Sequence, residues 1–136
     1  MSINGVLQNV KWPELFLTET NDKKVVGENL TKCENQRWIG EYVYDAGMYL
    51  GTIMNKDSGD YLSWDEHMNV VMNGSNCWWK LVFMDGCIGF QVPKEASANA
   101  IGVFFTLELE DDRSVTLKVQ EGDLIQAQLW KAMPFK

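Results

Sequence analysis

Histidine is almost missing from this chain, with one in 136 residues, and there are only three cysteines and three prolines. Zinc sites and most proton-shuttling catalysis depend on imidazole or clustered thiols, so this inventory offers no zinc-ligand spacing and no ready pairing of nucleophile and base. Cations are short as well, 12 Lys and Arg against 19 Asp and Glu, for a formal charge of -7. Such a surface repels phosphate backbones and anionic headgroups on average, which argues against a nucleic-acid partner. No apolar run reaches the roughly 18 residues of a spanning helix, so membrane insertion is not expected. Cys33, Cys77 and Cys87 are odd in number, and no secretory hydrophobic segment opens "MSINGVLQNVKW". Reduced thiols and a cytoplasmic, leaderless protein follow as expectations, with unconventional release left open. On that reading the sequons at Asn29 and Asn73 are chance.

Helical periodicity is also scarce. Only "PKEASANAIG" has helical composition, and it is short enough to be a loop or a single turn. What fills the chain instead is short runs of Val, Ile, Phe, Tyr and Thr, broken by "TNDKK", "DAG", "KDSGD", "NGSN", "MDG" and "EDDRS". Strands at that rhythm predict an all-β sandwich or barrel. The length suits one domain that buries about two thirds of its unfolded surface without disulfide or metal.

A repeat underlies the strands. "ENQRWIGEYV", "SNCWWKLVF" and "QAQLWKAMPF" place Gln36, Cys77 and Gln128 two residues before Trp38, Trp79 and Trp130. Upstream, Phe16 to Val25 spans nine residues, as does Tyr61 to Val70. Each unit also has an introductory strand, in "NGVLQNVK", "LGTIMNK" and "IGFQVPK". Trp38 and Trp79 are 41 residues apart and Trp79 and Trp130 are 51, so the third unit carries an insertion, best placed at "PKEASANAIG".

Three four-strand units with a Gln-x-Trp-like signature resemble the β-trefoil fold, an all-β architecture with pseudo-threefold symmetry. The repeats would fall at approximately 1–46, 47–86 and 87–136 of a single domain. The resemblance implies a six-stranded barrel closed at one end by three hairpins, with the three tryptophans in the core and the glutamines satisfying backbone groups. Cys77 in place of Gln fits a buried position but bonds more weakly.

Function then belongs to the loops. His67 stands with Asp65 and Glu66 in a predicted hairpin turn, and Glu110, Asp111 and Asp112 read as another solvated turn, so no enzyme and no cofactor is expected. The chain resembles two groups of trefoils: small leaderless fungal protease inhibitors from mushrooms, and ricin-B-like lectins. The stretch "LFLTETNDKKVVGENLTKCENQRW" is similar to the first repeat of serine-protease-inhibiting members. That resemblance implies a protease as partner, trypsin-like by preference, met by a rigid loop with a basic side chain. Asn21, Asp22, Lys23 and Lys24 supply one candidate turn, Trp12 and Pro13 a stiffened second, and Lys94 a position in the insertion. Asn73-Gly74 offers an Asn of the kind a legumain-type enzyme takes but reads better as a hairpin turn.

The alternative is a glycan partner. Ricin-B-like sugar sites typically combine an Asp near the second strand of a unit, a stacking aromatic ring and a downstream Asn or Gln in a "GN-x-x-Q" segment. The corresponding places read "FLTE", "YLSW" and "FFTLE", and no such segment precedes any Gln-x-Trp position, so we expect any sugar site to be unconventional. Trp64, Asp65, Asn73 and Trp78 are its candidate residues, with Trp12 a further stacking ring. A cytoskeletal or signalling trefoil with an extended protein interface is the third class. A monomer is favoured, although seven Met and six Trp are more than is easily buried.

Overall fold

The computed structural model describes residues 2–95 and 103–135. Its twelve strands are β1 (Ser2–Asn9), β2 (Phe16–Glu19), β3 (Val25–Glu28), β4 (Trp38–Asp45), β5 (Met48–Asn55), β6 (Tyr61–Trp64), β7 (Val70–Asn73), β8 (Trp79–Met84), β9 (Cys87–Glu95), β10 (Val103–Leu109), β11 (Val115–Glu121) and β12 (Trp130–Pro134). Single 3-10 turns at Glu34–Gln36 and Gln126–Gln128 lead into β4 and β12. β1 pairs with β4 and β12, β5 with β4 and β8, and β9 with β8 and β12, all antiparallel. Those pairings close a six-stranded ring and leave it no free edge. β2–β3, β6–β7 and β10–β11 are hairpins outside the ring. This is a β-trefoil, as the spacing of the tryptophans implied.

The core explains the period. Leu17, Leu62 and Leu107 recur at intervals of 45 residues and are fully buried. Leu7, Ile53 and Phe90 on β1, β5 and β9 are also at 0% exposure, as are Trp38, Trp79 and Trp130 at the starts of β4, β8 and β12. Each unit therefore gives one indole and two further large side chains to a common centre, the main source of hydrophobic stabilisation in the fold. Two glycines mark where backbones crowd. A Cβ on Gly5 would lie 1.8 Å from the Met133 carbonyl oxygen of β12, and one on Gly27 would lie 2.7 Å from Leu109 Cδ1 of the third hairpin. First and third hairpins also meet through Gly27 N–H and the Arg113 carbonyl at 2.8 Å.

Polar side chains tie the units together. Gln36 Oε1 accepts from Thr31 N at 2.8 Å and from Thr31 Oγ1 at 3.1 Å, while its Nε2 donates to Thr18 Oγ1 and the Asn29 carbonyl. Buried Asn55 donates to the Asn35 carbonyl in the turn before β4, and buried Asn9 donates to the Ala127 carbonyl in the turn before β12. An asparagine at the end of one introductory strand thus holds the turn of the preceding unit in cyclic order. At the third such place stands Val92, which donates nothing, and the segment before β8 it would hold has no 3-10 turn.

β9 continues through Pro93 and Lys94, as expected of "IGFQVPK", and on to Glu95, so the start of "PKEASANAIG" is strand rather than loop; β10 begins at Val103. Thr106 pairs with Gln91 across a bulge, against Phe16 with Gln8 in the first unit, which places extra chain between β9 and β10. Residues 96–102 of the expected insertion lie outside the described residues.

The two versions of the Gln-x-Trp position should differ in cost when truncated. Gln36→Ala removes a fully buried side chain and leaves its four hydrogen-bond partners without it, buried Thr18 Oγ1 among them, and should lower stability by about 3 kcal/mol in urea unfolding, whereas Cys77→Ala should cost under about 1 kcal/mol. Equal losses would mean that the glutamine network carries no special weight.

Candidate functional site

The residue after each core leucine faces the Gln-x-Trp side chain of its own unit, and the three units differ there. Thr18 is 1% exposed; its hydroxyl accepts from Gln36 Nε2 at 3.1 Å and donates to the Phe16 carbonyl at 2.9 Å. Ser63 is 5% exposed and its hydroxyl bonds the Cys77 thiol, whose pKa burial pushes up. In the third unit the position is Glu108, half-buried, with Oε1 accepting from Gln128 Nε2 at 3.1 Å. Two units therefore close a small neutral contact inward, and the third sets a carboxylate on a rigid amide.

That amide is fixed from every side. Gln128 is fully buried, Oε1 accepts from Ile125 N–H at 3.0 Å, and Nε2 also donates to Gln120 Oε1 at 3.0 Å. Gln120 in turn donates to the Asp123 carbonyl at 2.8 Å. The pairing of β10 with β11 sets Glu108 opposite Thr116, Thr106 opposite Lys118, and Phe104 opposite Gln120. Alternate strand residues share a face, so Phe104, Glu108, Lys118 and Gln120 belong to the same side of the hairpin. Next to them lies a cleft of about 250 Å³ lined in part by Lys80, Gln91, Phe104 and Asp123. The Lys80 ammonium stands 4.0 Å from the centre of the Phe104 ring, and Gln91 Nε2 donates to Thr106 Oγ1 at 3.1 Å.

Electrostatics single out Glu108. Burial raises its carboxyl pKa first and the neighbouring Glu110 carboxylate raises it further, with Gln128 and Lys118 opposing. Lys118 Nζ lies 3.0 Å from Glu110 Oε1. Glu19 is also raised by burial, but it is 5% exposed and takes the Ser58 hydroxyl of the second unit at 2.6 Å. A half-exposed carboxylate held by amides, on the same hairpin face as an aromatic ring, is an arrangement for receiving hydroxyl donors.

The residues singled out from sequence are dispersed. Thr20–Lys24 is a tight turn in which the Thr20 hydroxyl donates to Asp22, lowering that carboxyl's pKa, and accepts from Lys24 N at 3.1 Å. Lys23, at φ 64°, turns its ammonium onto Asp60 of another loop, while Lys24 extends outward 3.8 Å from Asp22. Asn21 is exposed on the same turn. Trp12 and Pro13 lie before β2 and the lysine turn lies after it, so they flank opposite ends of one strand; Trp12 packs on the core under Lys11 at 4.6 Å. The Lys94 backbone belongs to β9.

The four proposed sugar contacts do not converge either. Trp64 packs edge-on against Trp79 with ring centres 4.9 Å apart, and the Asp65 carboxylate accepts from His67 N, Asn69 N and Asn69 Nδ2 within its own turn. Asn73 pairs with Tyr61 at the far end of the hairpin from Trp64, and only Trp78, 45% exposed, presents a large open ring. His67 is exposed and 3.6 Å from Glu66. Among the described residues no three His, Cys, Asp or Glu side chains group as metal ligands.

Glu108 and Gln120 escaped the sequence reading because it sought aspartate. The signal was nevertheless present, since Glu108 ends "FFTLE" at 45-residue steps from Ser63 and Thr18.

No family model matches the sequence, and no curated protein matches it by sequence. Solved structures do match. A ricin B-like lectin from Macrolepiota procera, solved with lactose, superposes with a TM-score of 0.70 at 14% identity over 98% of this chain and 95% of that one. The Rhizoctonia solani agglutinin gives 0.69 at 19% identity over 96% and 95%. An endo-β-galactosidase from Clostridium perfringens that releases GlcNAcα1-4Gal gives 0.68 at 19% identity over 98% of this chain but 33% of the enzyme. At these identities the likeness establishes the trefoil fold.

Glu108→Gln should stabilise the protein at neutral pH. The folded-state pKa lies above the ordinary value of 4.5, so below that value both states hold the proton and the substitution changes little. As pH rises from 4.5 through the raised pKa, the native protein loses stability relative to the variant. Urea midpoints should coincide at low pH and separate in favour of Gln above it; a variant less stable at pH 7 would contradict the assignment.

Proposed function

We propose that the chain is a non-catalytic carbohydrate-binding protein whose sugar site is the outer face of the β10–β11 hairpin. The observation that carries this reading is Glu108 on Gln128, at the place where Thr18 and Ser63 stand in the other units. The position is the one near the second strand at which ricin-B-like lectins are expected to hold an aspartate, with Gln120 and Gln128 as amide partners and Phe104 as the ring. Vicinal hydroxyls of a pyranose can donate to the Glu108 carboxylate, and charge-assisted bonds of this kind are about twice as strong as neutral ones. The buried amides hold the carboxylate in place before the ligand arrives, which lowers the cost of binding.

Likeness to lectins, one of them solved with lactose, supports this reading over the protease inhibition favoured from sequence. Of the two lysines on the turn after β2, Lys23 is paired with Asp60, and Lys24 alone extends outward.

A glycan array followed by calorimetry on the best neutral oligosaccharide tests the proposal. Glu108→Ala should weaken binding by about tenfold to a hundredfold, the worth of hydrogen bonds to a charged group, and Phe104→Ala should weaken it less. Lys24→Ala and Trp78→Ala should bind normally. Saturable binding that survives Glu108→Ala but disappears with Trp78→Ala would move the site to the second unit.

A further inference from the structure

A second concavity lies away from the third-unit face and is of a different kind. It measures about 280 Å³ and lies between β1, β2 and the C-terminal segment, with Val6, Phe16, Leu30, Met133 and Phe135 among its walls. Every lining residue but one is apolar; the exception is Lys32. Val6 and Phe16 are buried, while Leu30 is 46% exposed at the edge. A dry cavity of ~150 Å³ already accommodates benzene, so this volume suits one fused ring pair or an acyl chain of about eight carbons.

The rim supplies the polarity. Lys32 is exposed, its backbone is in the left-handed region at φ 63°, and it forms no ion pair with any described residue. Lys32 also lines a shallow polar groove whose walls include Glu28, Glu34 and Asp57, and it forms an ion pair with none of them. The Phe135 wall is backed by the Arg37 guanidinium, 5.2 Å from the ring centre, itself 3.8 Å from Glu34. Lys32 is the one charged residue lining this apolar cavity, and it has no ion-pair partner among the described residues. We propose that this cavity binds a small amphipathic carboxylate, apolar body inward and carboxylate on Lys32. Protein partners are disfavoured because a stable interface needs on the order of 1,000 Å² of complementary surface, and this is a small hollow. The site is independent of the sugar-binding proposal.

Octanoate and 1-octanol, which share a chain length and differ in charge, are suitable probes. Amide and methyl NMR shifts on adding octanoate should saturate at one equivalent and centre on Val6, Phe16, Leu30 and Met133. Lys32→Asn keeps a residue that tolerates the left-handed backbone and should weaken octanoate by about tenfold while leaving octanol unchanged. Met133→Trp should block both by filling the cavity, and Met133→Phe serves if the larger ring prevents folding. Octanoate shifts scattered over the surface, no saturation at millimolar concentration, or equal loss of both probes in Lys32→Asn would overturn the proposal. The same resonances moving with protein concentration alone would also overturn it, by showing that a second copy covers the hollow.

Discussion

The hydrogen bond from a buried indole to its own hairpin is the contact on which the rest of the molecule depends. Trp38 Nε1 donates to the Leu17 carbonyl and Trp79 Nε1 to the Leu62 carbonyl, each at 2.9 Å. A large apolar ring with one polar atom can enter the core only if that atom is satisfied, and here satisfaction fixes where the hairpin sits against the barrel. Ring and hairpin are thereby positioned together, and the three hairpins close the barrel's end. The third unit breaks the rule: Trp130 Nε1 has no acceptor among the described residues. Its hairpin is held instead by Gln128, Glu108 and Gln120, and by the bridge from Ser114 to Val26.

Departures from symmetry follow one logic. The first unit has the complete set, with Gln36 satisfied on both ends and Asn55 holding its turn. In the second, Cys77 replaces the glutamine and Val92 replaces the asparagine that would hold the segment, so two losses fall on one stretch and Trp78 is left open beside it. The third keeps its glutamine but spends it on a carboxylate that burial penalises. Sites where local chemistry works against stability are where function is expected, because structure alone would not retain them. Glu108 meets that description, whereas Thr18 and Ser63 are closed, neutral versions of the same position.

Much of this architecture was legible in the sequence. Trp38, Trp79 and Trp130 announced three units because a core on a threefold axis needs the same large side chain three times, and turn clusters such as "TNDKK" and "EDDRS" located hairpins, although Asn73-Gly74 joins β7 to β8, which do not pair. What was hidden depends on contacts between distant residues. Nothing near Lys23 in the chain shows that Asp60 neutralises it, and nothing near Asp65 shows that its own turn consumes its carboxylate. Trp64 was a candidate stacking ring, yet it packs edge-on against the buried Trp79. Pro93 lies within the expected introductory strand "IGFQVPK", and β9 runs past it because proline is tolerated near a bulge. Glu108 was readable from spacing alone and was passed over because the wrong acid was sought.

The proposed sugar contact is the third unit's amide-backed carboxylate. Its most direct measurement is the side-chain amide NMR signals of Gln36, Gln120 and Gln128 during titration with lactose and a panel of neutral oligosaccharides. Saturable movement of the Gln120 and Gln128 signals, with Gln36 unmoved, is the predicted result. A glycan that binds saturably while the signals of Gln120 and Gln128 stay in place would contradict it.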